Sequence, residues 1–379
     1  MKKFFVILVC KTIRLIGRLT GRGSSLPGQI ALKLDPDILS KIKMPPYIVA
    51  VTGSNGKTST VELIARILKD AGKSFAYNKE GSNQIEGVTT LILEHCTFSG
   101  KVKPEIILIE SDERFAKYTF RYFSPTHYII TNLYRDQLTR NGHPEWVAHA
   151  IEESIRPETQ LVLNADDPLV SKFGLGRDNT VYFGADRLPQ STDSCTSLYN
   201  DGKYCPNCKQ PLEYAFYHYN HIGKFHCPSC GLRSCPTAYT VTRADLDESS
   251  VVINEKYRLR LAFSSFYMMY NTLAAFAAAS LLGVAPESIV RSISDYTLQN
   301  GRIVRFAIGR HPGVLLASKH ENSVSGGSKI KLIKWHYILY KNGLHKSAFV
   351  SVLLTLRNLF FGVIKKVKYR EKTAVIPEI

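Results

Sequence analysis

An α/β architecture with a mostly parallel sheet is what this sequence predicts, and three observations carry the prediction. Short β-branched apolar runs recur at 47–52, 105–110, 127–133, 160–164 and 180–184. Helical patterns separate them, from Val61 to Leu68 and again after Pro144, at the spacing of strand–helix–strand units with helices on both sheet faces. The first run, Tyr47 to Thr52, passes straight into a glycine-bounded polar turn, Gly53-Ser54-Asn55-Gly56-Lys57-Thr58-Ser59, that opens the first of these helices.

That turn has the chemistry of a phosphate cradle. A strand, a glycine loop and a helix N-terminus together aim backbone N–H groups at an anion. Gly53 and Gly56 permit the tight turn. Lys57 supplies a point charge for the β- and γ-phosphates of a nucleotide. The Thr58 hydroxyl is a ligand for Mg²⁺, which keeps most of its waters. Gly53, Ser54, Asn55, Gly56, Lys57, Thr58 and Ser59 are therefore the expected ATP-binding residues. The strict pattern G-x-x-x-x-G-K-[ST] is not met, because Val51 stands where its first glycine belongs.

Ahead of the loop, residues 1–46 read as a basic amphipathic segment. Phe4, Ile7, Leu8, Ile13, Leu15, Ile16 and Leu19 are interleaved with Lys11, Arg14 and Arg18. Two readings stand: a helix packed on the domain behind it, or one in peripheral contact with a membrane. The apolar run from Phe4 to Cys10 is too short to span a bilayer, and no small-residue cleavage site follows it. A Gly/Ser-rich break covers 21–27, Asp35-Pro36 interrupts a second helical pattern, and Pro45-Pro46 ends the segment.

Residues 47–302 form the expected central ATP-binding domain. A short strand at 75–77 is followed by a polar stretch with Ser82, Asn83 and Thr89, either an ordinary turn or a loop that approaches phosphate. The run at 105–110 ends in Glu110, with Asp112 and Glu113 close behind. An acid at the C-terminal end of a parallel strand faces the ligand crevice, which makes Glu110 the expected second Mg²⁺ residue beside Thr58. Asn164 and Asp167 sit in Leu163-Asn164-Ala165-Asp166-Asp167-Pro168, a turn that either borders the nucleotide or is local Asx chemistry.

Residues 200–236 are a second kind of element. Cys205-Pro206-Asn207-Cys208 and Cys227-Pro228-Ser229-Cys230 are separated by 18 residues, the spacing of a zinc ribbon. Four thiolates leave no open position for water, so Cys205, Cys208, Cys227 and Cys230 are expected to hold a structural Zn²⁺. The stretch between the knuckles is rich in Tyr and poor in Arg and Lys, which favours a positioning role and no nucleic-acid partner. Beyond the ribbon, 238–241 and 249–262 read as antiparallel strands, and an Ala-rich helix begins near Phe266.

The bulk numbers bound the rest. A length of 379 residues allows two or three domains. The net charge of +17 is uneven: after residue 308 there are 13 Lys and Arg against 3 Asp and Glu, a net of +10. A basic chain meets nucleic acid, anionic membrane or phosphorylated substrates. The eight cysteines do not imply disulfides, since four are in the ribbon and a nucleotide loop belongs in a reducing, cytoplasmic setting.

The string Thr52-Gly53-Ser54-Asn55-Gly56-Lys57-Thr58, together with Thr131-Asn132 running to Asp136-Gln137-Leu138, the Asn164 to Pro168 turn, Tyr270-Asn271 and Gly301-Arg302, resembles the Mur ligase superfamily. With the inserted ribbon and the segment Gly21 to Gly28, it is similar to the synthetase subunits of lipid II isoglutaminyl synthases within that superfamily. The resemblance implies a Mur-ligase-type central domain. It implies that Glu110 outranks Asp112 as a Mg²⁺ ligand, that Asn132 and Asp136 orient phosphates or metal, that Asn271 meets the adenine, and that Arg302 reaches the ATP phosphates. It also implies a reaction: ATP-dependent amidation of the D-glutamate α-carboxylate of lipid II through an acyl phosphate, with ammonia from a GatD-like glutaminase subunit in a heterodimer, at the inner face of the membrane. Lys57, Glu110 and Arg302 are then the expected catalytic residues. Gln137 stands where the superfamily has His, and 303–379 is expected to be an atypical or truncated basic region in place of a third α/β domain. Two alternatives follow from that departure: a catalytically defective ATP- and zinc-binding protein, or a ligase that adds an amino acid instead of ammonia.

Overall fold

The computed structural model describes residues 2–19, 25–78, 83–135, 144–195, 197, 199–297, 303–308 and 311–316. The chain divides into two compact units, Met1–Thr297 and Leu298–Ile379. In the second unit the described residues form an antiparallel hairpin of Ile303–Ile308 and His311–Leu316. The atypical C-terminal region expected over 303–379 otherwise lies outside the described residues.

The first unit is built on a nine-stranded sheet. Its strands are β1 (Tyr47–Thr52), β2 (Phe75–Tyr77), β3 (Ile106–Glu110), β4 (His127–Ile130), β5 (Gln160–Asn164), β6 (Thr180–Ala185), β9 (Tyr239–Asp245), β10 (Ser250–Ile253) and β11 (Tyr257–Arg260), with β7 (Glu213–Tyr219) and β8 (Ile222–His226) forming a separate hairpin. The order across the sheet is β11-β10-β9-β6-β5-β4-β1-β3-β2. Every pair from β2 to β9 is parallel, and β10 and β11 close the far edge antiparallel. Strands such as β3 are buried at every position, because helices cover both faces and an uninterrupted apolar run is then the stable choice. The antiparallel pairing anticipated for 238–241 and 249–262 is present between β9 and β10, and β9 also extends the parallel sheet beside β6, with Phe183 opposite Tyr239. The excursion through residues 186–238 supplies the long crossover that a parallel pair requires.

One sheet face carries the helices α3 (Lys57–Asp70), α8 (Phe266–Leu281) and α9 (Pro286–Ser294), which pack on one another. The other core includes α1 (Lys2–Leu19), α2 (Leu26–Leu34), α4 (Ile85–His95), α5 (Ala116–Thr119), α6 (Pro144–Glu152) and α7 (Pro168–Ser171). The packed-helix reading of the N-terminal segment therefore describes α1. Val6, Ile7 and Cys10 of α1 and Ala31 of α2 are fully buried in the same core as Ile48, Ala50 and Ile107. Asp35-Pro36 ends α2, and a 3₁₀ turn at Ile38–Lys41 buries Ile38 and Leu39 before β1. Thr89 also differs from expectation. It lies inside α4, fully buried, and not in a phosphate-facing loop.

Two contacts hold these layers close. Gly28 of α2 sits so near α4 that a Cβ there would come within 1.9 Å of the Glu86 carbonyl oxygen, while its N–H donates to Thr90 Oγ1 at 2.8 Å. On the other face, the Tyr270 hydroxyl of α8 donates to Asp166 Oδ2 at 2.8 Å, and the Ala185 N–H donates to the same oxygen at 2.7 Å. Burial pushes the Asp166 carboxyl up to about 6 against the pull of these two donors.

Gly28→Ala is expected to destabilise the first unit by about 1–3 kcal/mol, because helix backbone cannot yield as a flexible side chain can; urea unfolding measures it. Tyr270→Phe tests the second contact. Asp166 has a folded pKa above its unfolded value, so it costs stability as pH rises through about 6. Losing the hydroxyl raises that pKa further, so the deficit of Tyr270→Phe should grow from about pH 5 to about pH 8, toward roughly 1–3 kcal/mol. An equal deficit at both pH values would show that the hydroxyl does not act on the charged carboxylate.

Candidate nucleotide site and metal centre

The strand order reverses about β1. The chain passes from β1 through α3 to β2 on one side, then from β3 across to β4 on the other. A crevice outside the carboxyl ends of the strands at such a switch point is where ligands bind in open α/β sheets. The glycine turn lies there. Gly53 and Gly56 have φ of 135° and 85°, so both require the left-handed region. Each is also sterically closed: a Cβ at Gly53 would meet Thr131 Oγ1 at 2.3 Å, and one at Gly56 would meet Asn271 Oδ1 at 2.1 Å. The first intrahelical bond of α3 runs from Thr60 N–H to the Gly56 carbonyl. The N–H groups of Lys57, Thr58 and Ser59 therefore have no acceptor within the helix and remain available to an anion.

The loop is clamped to the segment after β4. Ser54 N–H donates to the Asn132 carbonyl, and Asn55 N–H donates to Asn132 Oδ1 at 3.0 Å. Asn132 Nδ2 and Thr131 Oγ1 donate back to the Asn55 carbonyl. Ser54 Oγ donates to the Tyr134 carbonyl and accepts from Tyr134 N–H, while Asn55 Nδ2 donates to the Tyr134 hydroxyl at 2.7 Å. Asn132 thus acts first on the loop backbone. Ser54 and Asn55 spend several polar groups on the clamp, which leaves Lys57 to Ser59 as the phosphate-facing part.

Lys57 points back into the loop, donating to the Gly53 carbonyl and to Glu113 Oε2, the latter at 2.8 Å. Both partners of this ion pair are mostly buried. Glu110 ends β3 beside β1, opposite Val51, and is also buried. Asp112 is held below the usual carboxylate range: burial raises it, but the hydrogen bonds and charge of Arg114 prevail. Glu113 meets the loop at Lys57 and Glu110 ends the strand beside β1; both are hard oxygen donors, and Mg²⁺ takes only one or two carboxylates alongside waters and phosphate, so these residue types fit that ion. Reading the sequence for strand ends singled out Glu110 and passed over Glu113, whose spacing from Lys57 only the fold reveals.

Asn164 and Asp167 brace the next layer. Asn164 Nδ2 donates to the Thr131 carbonyl, and its Oδ1 accepts the Asp166 N–H as an Asx turn. Asp167 Oδ2 accepts Leu133 N–H at 2.7 Å, and Oδ1 caps α7 by accepting Leu169 N–H. Asn271, in the second turn of α8, is brought against Gly56, and the helix is capped instead by Ser265, which accepts Met268 N–H. The Asn83 carbonyl accepts the Asp112 N–H. Ser82, Asp136 and Arg302 lie outside the described residues.

The ribbon gathers its four thiols. The Sγ atoms of Cys205, Cys208, Cys227 and Cys230 all lie within 4.8 Å of one another, and no other His, Cys, Asp or Glu group among the described residues is so arranged. Cys205 and Cys230 sulfurs are 3.6 Å apart and those of Cys208 and Cys227 3.4 Å, close to the edge of a tetrahedron with Zn–S bonds of about 2.3 Å. Each knuckle turns on a left-handed residue, Lys209 at φ 64° and Gly231 at φ 75°. His226 is exposed beside Glu213 and is not part of the cluster.

The other end of the ribbon reaches the nucleotide loop. His221, in the β7–β8 hairpin, is fully buried, with Nε2 3.4 Å from Asp167 Oδ1 and its ring edge-on to Tyr134. Gly223 N–H donates to the Asp166 carbonyl. Asp201 accepts Arg135 N–H at 2.8 Å and pairs with its guanidinium. Tyr134, His221 and Asp201 carry no motif signal, because each works through a partner far away in sequence.

Residues 51–204 match the family model for the Mur ligase middle domain. The chain is 34% identical over 325 residues to the lipid II isoglutaminyl synthase (glutamine-hydrolyzing) subunit MurT of Staphylococcus aureus strain COL, covering 84% of this chain and 72% of that protein. It is 33% identical to the subunit of the same name from Streptococcus pneumoniae, over 83% of this chain and 70% of the relative. Among solved structures, a pseudomurein peptide ligase type C from Methanothermus fervidus superposes with a TM-score of 0.62 at 24% identity, over 75% of this chain. This chain spans 56% of the length of that ligase. MurF from Acinetobacter baumannii gives a TM-score of 0.52 at 16% identity, over 84% of this chain and 65% of that one. These two likenesses bear on the fold alone. A glycine loop at the switch point of a parallel sheet, an inserted four-cysteine ribbon and one-third identity across most of the chain together place this protein in the Mur ligase superfamily, alongside the MurT subunits.

Proposed function

We propose that this chain is the ATP-dependent synthetase subunit of a lipid II isoglutaminyl synthase, a carbon–nitrogen ligase of peptidoglycan synthesis. The observation that carries the reading is the identity to MurT subunits across most of both chains, joined to a glycine loop whose Lys57, Thr58 and Ser59 N–H groups precede the first intrahelical bond of α3. Lys57 and these N–H groups hold the β- and γ-phosphates. Entering phosphate competes with Glu113 for the Lys57 ammonium, so the loop is charged and shaped before nucleotide arrives. Thr58 and Glu110 would hold Mg²⁺, which neutralises phosphate charge when bound. Asn271 borders the nucleotide where α8 meets Gly56. The resemblance assigns Arg302 to the charge that develops on the transferred phosphoryl group.

The reaction then has two displacements. An α-carboxylate oxygen of the stem-peptide D-glutamate attacks the γ-phosphorus, giving an acyl phosphate and releasing ADP. Ammonia, delivered by a glutaminase subunit, attacks the acyl carbon, and inorganic phosphate leaves with a proton released. Lipid II is a membrane substrate, so this reading sets the chain in the cytoplasm at the inner membrane face. The four cysteines hold a structural Zn²⁺ that stiffens the ribbon whose hairpin supports Tyr134 and Asp167.

The decisive assay combines the full chain with a glutaminase partner, lipid II, ATP, Mg²⁺ and glutamine, and reads the stem peptide by mass spectrometry. Conversion of the D-glutamate carboxyl to a carboxamide is expected. ATP binding without amide product would identify a catalytically defective nucleotide-binding protein, and incorporation of an amino acid would identify an amino-acid ligase. Lys57→Ala should weaken ATP binding at least about tenfold by calorimetry, and unchanged affinity would displace the loop from its assigned role. Cys205→Ser should reduce bound zinc, measured by elemental analysis, from stoichiometric to trace; full retention would count against four-cysteine coordination.

A further inference from the structure

Helix α1 has two apolar faces. One, with Val6, Ile7 and Cys10, is fully buried in the core. On the other side Phe4 is 50% exposed, Phe5 54%, Leu8 41% and Leu15 61%. Their separations of three, four and seven residues match the helical repeat, so they form one stripe along the outside of the helix. Phe98, at the turn after α4, continues it: it is 45% exposed, with its ring 5.2 Å from that of Phe4. An apolar stripe of this kind marks an interaction surface, whereas scattered apolar residues do not.

Basic charge predominates around the stripe. Lys2, Lys3, Lys11, Arg14 and Arg18 lie on α1, which contains no Asp or Glu. Lys2 and Arg18 are exposed near its two ends, and Lys101 and Lys103 are exposed close to Phe98. The rotation of the helix is fixed. Glu94 of α4 accepts Arg14 Nε at 2.9 Å and also pairs with Arg18, while its carbonyl accepts the Lys11 ammonium at 2.6 Å. The stripe is therefore presented outward by a braced helix.

We propose that α1 is a membrane-docking helix that lies flat on an anionic phospholipid surface, with Phe4, Phe5, Leu8 and Leu15 entering the headgroup–acyl boundary and Lys2, Arg18 and Lys101 meeting lipid phosphates. Charge complementarity selects this occupant, since an acid-free basic helix with aromatic and aliphatic residues on one face matches an anionic interface. At 1.5 Å per residue its 18 residues extend about 27 Å in the membrane plane. No helix among the described residues is long and apolar enough to cross a membrane. The inference rests on the surface of α1 and not on the reaction proposed above.

The test uses the full chain and vesicles free of lipid II and nucleotide. Co-sedimentation should show binding to phosphatidylcholine vesicles containing about one-third phosphatidylglycerol, weak binding to phosphatidylcholine alone, and loss of binding as salt rises. The double change Phe5→Ser with Leu8→Ser should weaken binding to the anionic vesicles at least about tenfold, while ATP affinity and the thermal unfolding midpoint stay unchanged. Leu8→Trp supplies an independent reading, its emission moving to the blue on those vesicles. Absent binding by the parent chain, undiminished binding by the double variant, or unshifted Trp emission would each overturn the proposal. So would a double variant that binds vesicles normally but loses a soluble dimer or a bound protein, which would assign the stripe to a protein partner.

Discussion

The clamp between the glycine loop and residues 131–134 is the constraint on which the rest of this molecule depends. A loop with two left-handed glycines loses much conformational entropy on being fixed, so it needs partners outside itself. Here Asn132, Thr131 and Tyr134 supply bonds in both directions to Ser54 and Asn55. The two strand ends are neighbours in the sheet, so the residues that steady the loop follow directly on a paired strand. The N-terminus of α3 is thereby aimed before any ligand arrives, which is how a site avoids reorganising at the moment of binding.

The same clamp relates the four-cysteine ribbon to the glycine loop. The ribbon has a small hydrophobic cluster of its own, Cys205, Phe225, Cys227 and Leu232. Its four thiols gather at one place, and its hairpin and leading residues set His221 and Asp201 against Asp167 and Arg135. Asp167 in turn accepts the Leu133 N–H, one residue beyond the clamp. His221, Asp167 and Leu133 form a chain of buried polar contacts between the ribbon hairpin and the segment that clamps the glycine loop.

The N-terminal layer shows the same economy in apolar terms. α1 and α2 complete the core over one sheet face, with Gly28 allowing α2 to approach the α4 backbone closely. A helix used in this way ordinarily keeps its far face polar. The apolar far face of α1 departs from that rule, and such departures are expected where a surface has a task besides solubility.

Much of the fold was legible in the amino-acid sequence, because it rests on local patterns. β-Branched runs separated by helical repeats determined a mostly parallel α/β sheet, the glycine turn after the first strand determined a left-handed loop opening α3, and paired Cys-x-x-Cys knuckles brought four thiols together. Those features depend on residues close in the chain, or on a spacing that suits one geometry alone. Tertiary structure decided the rest. It decided that β9 joins the sheet beside β6 in parallel, that Thr89 is a core residue, that Glu113 pairs with Lys57 of the loop, and that α1 and α2 belong to the main core. It also decided the parts played by Tyr134, His221 and Asp201. Each of these follows from a contact between positions far apart in sequence, where the partner, and not the residue's own neighbours, sets what the side chain does.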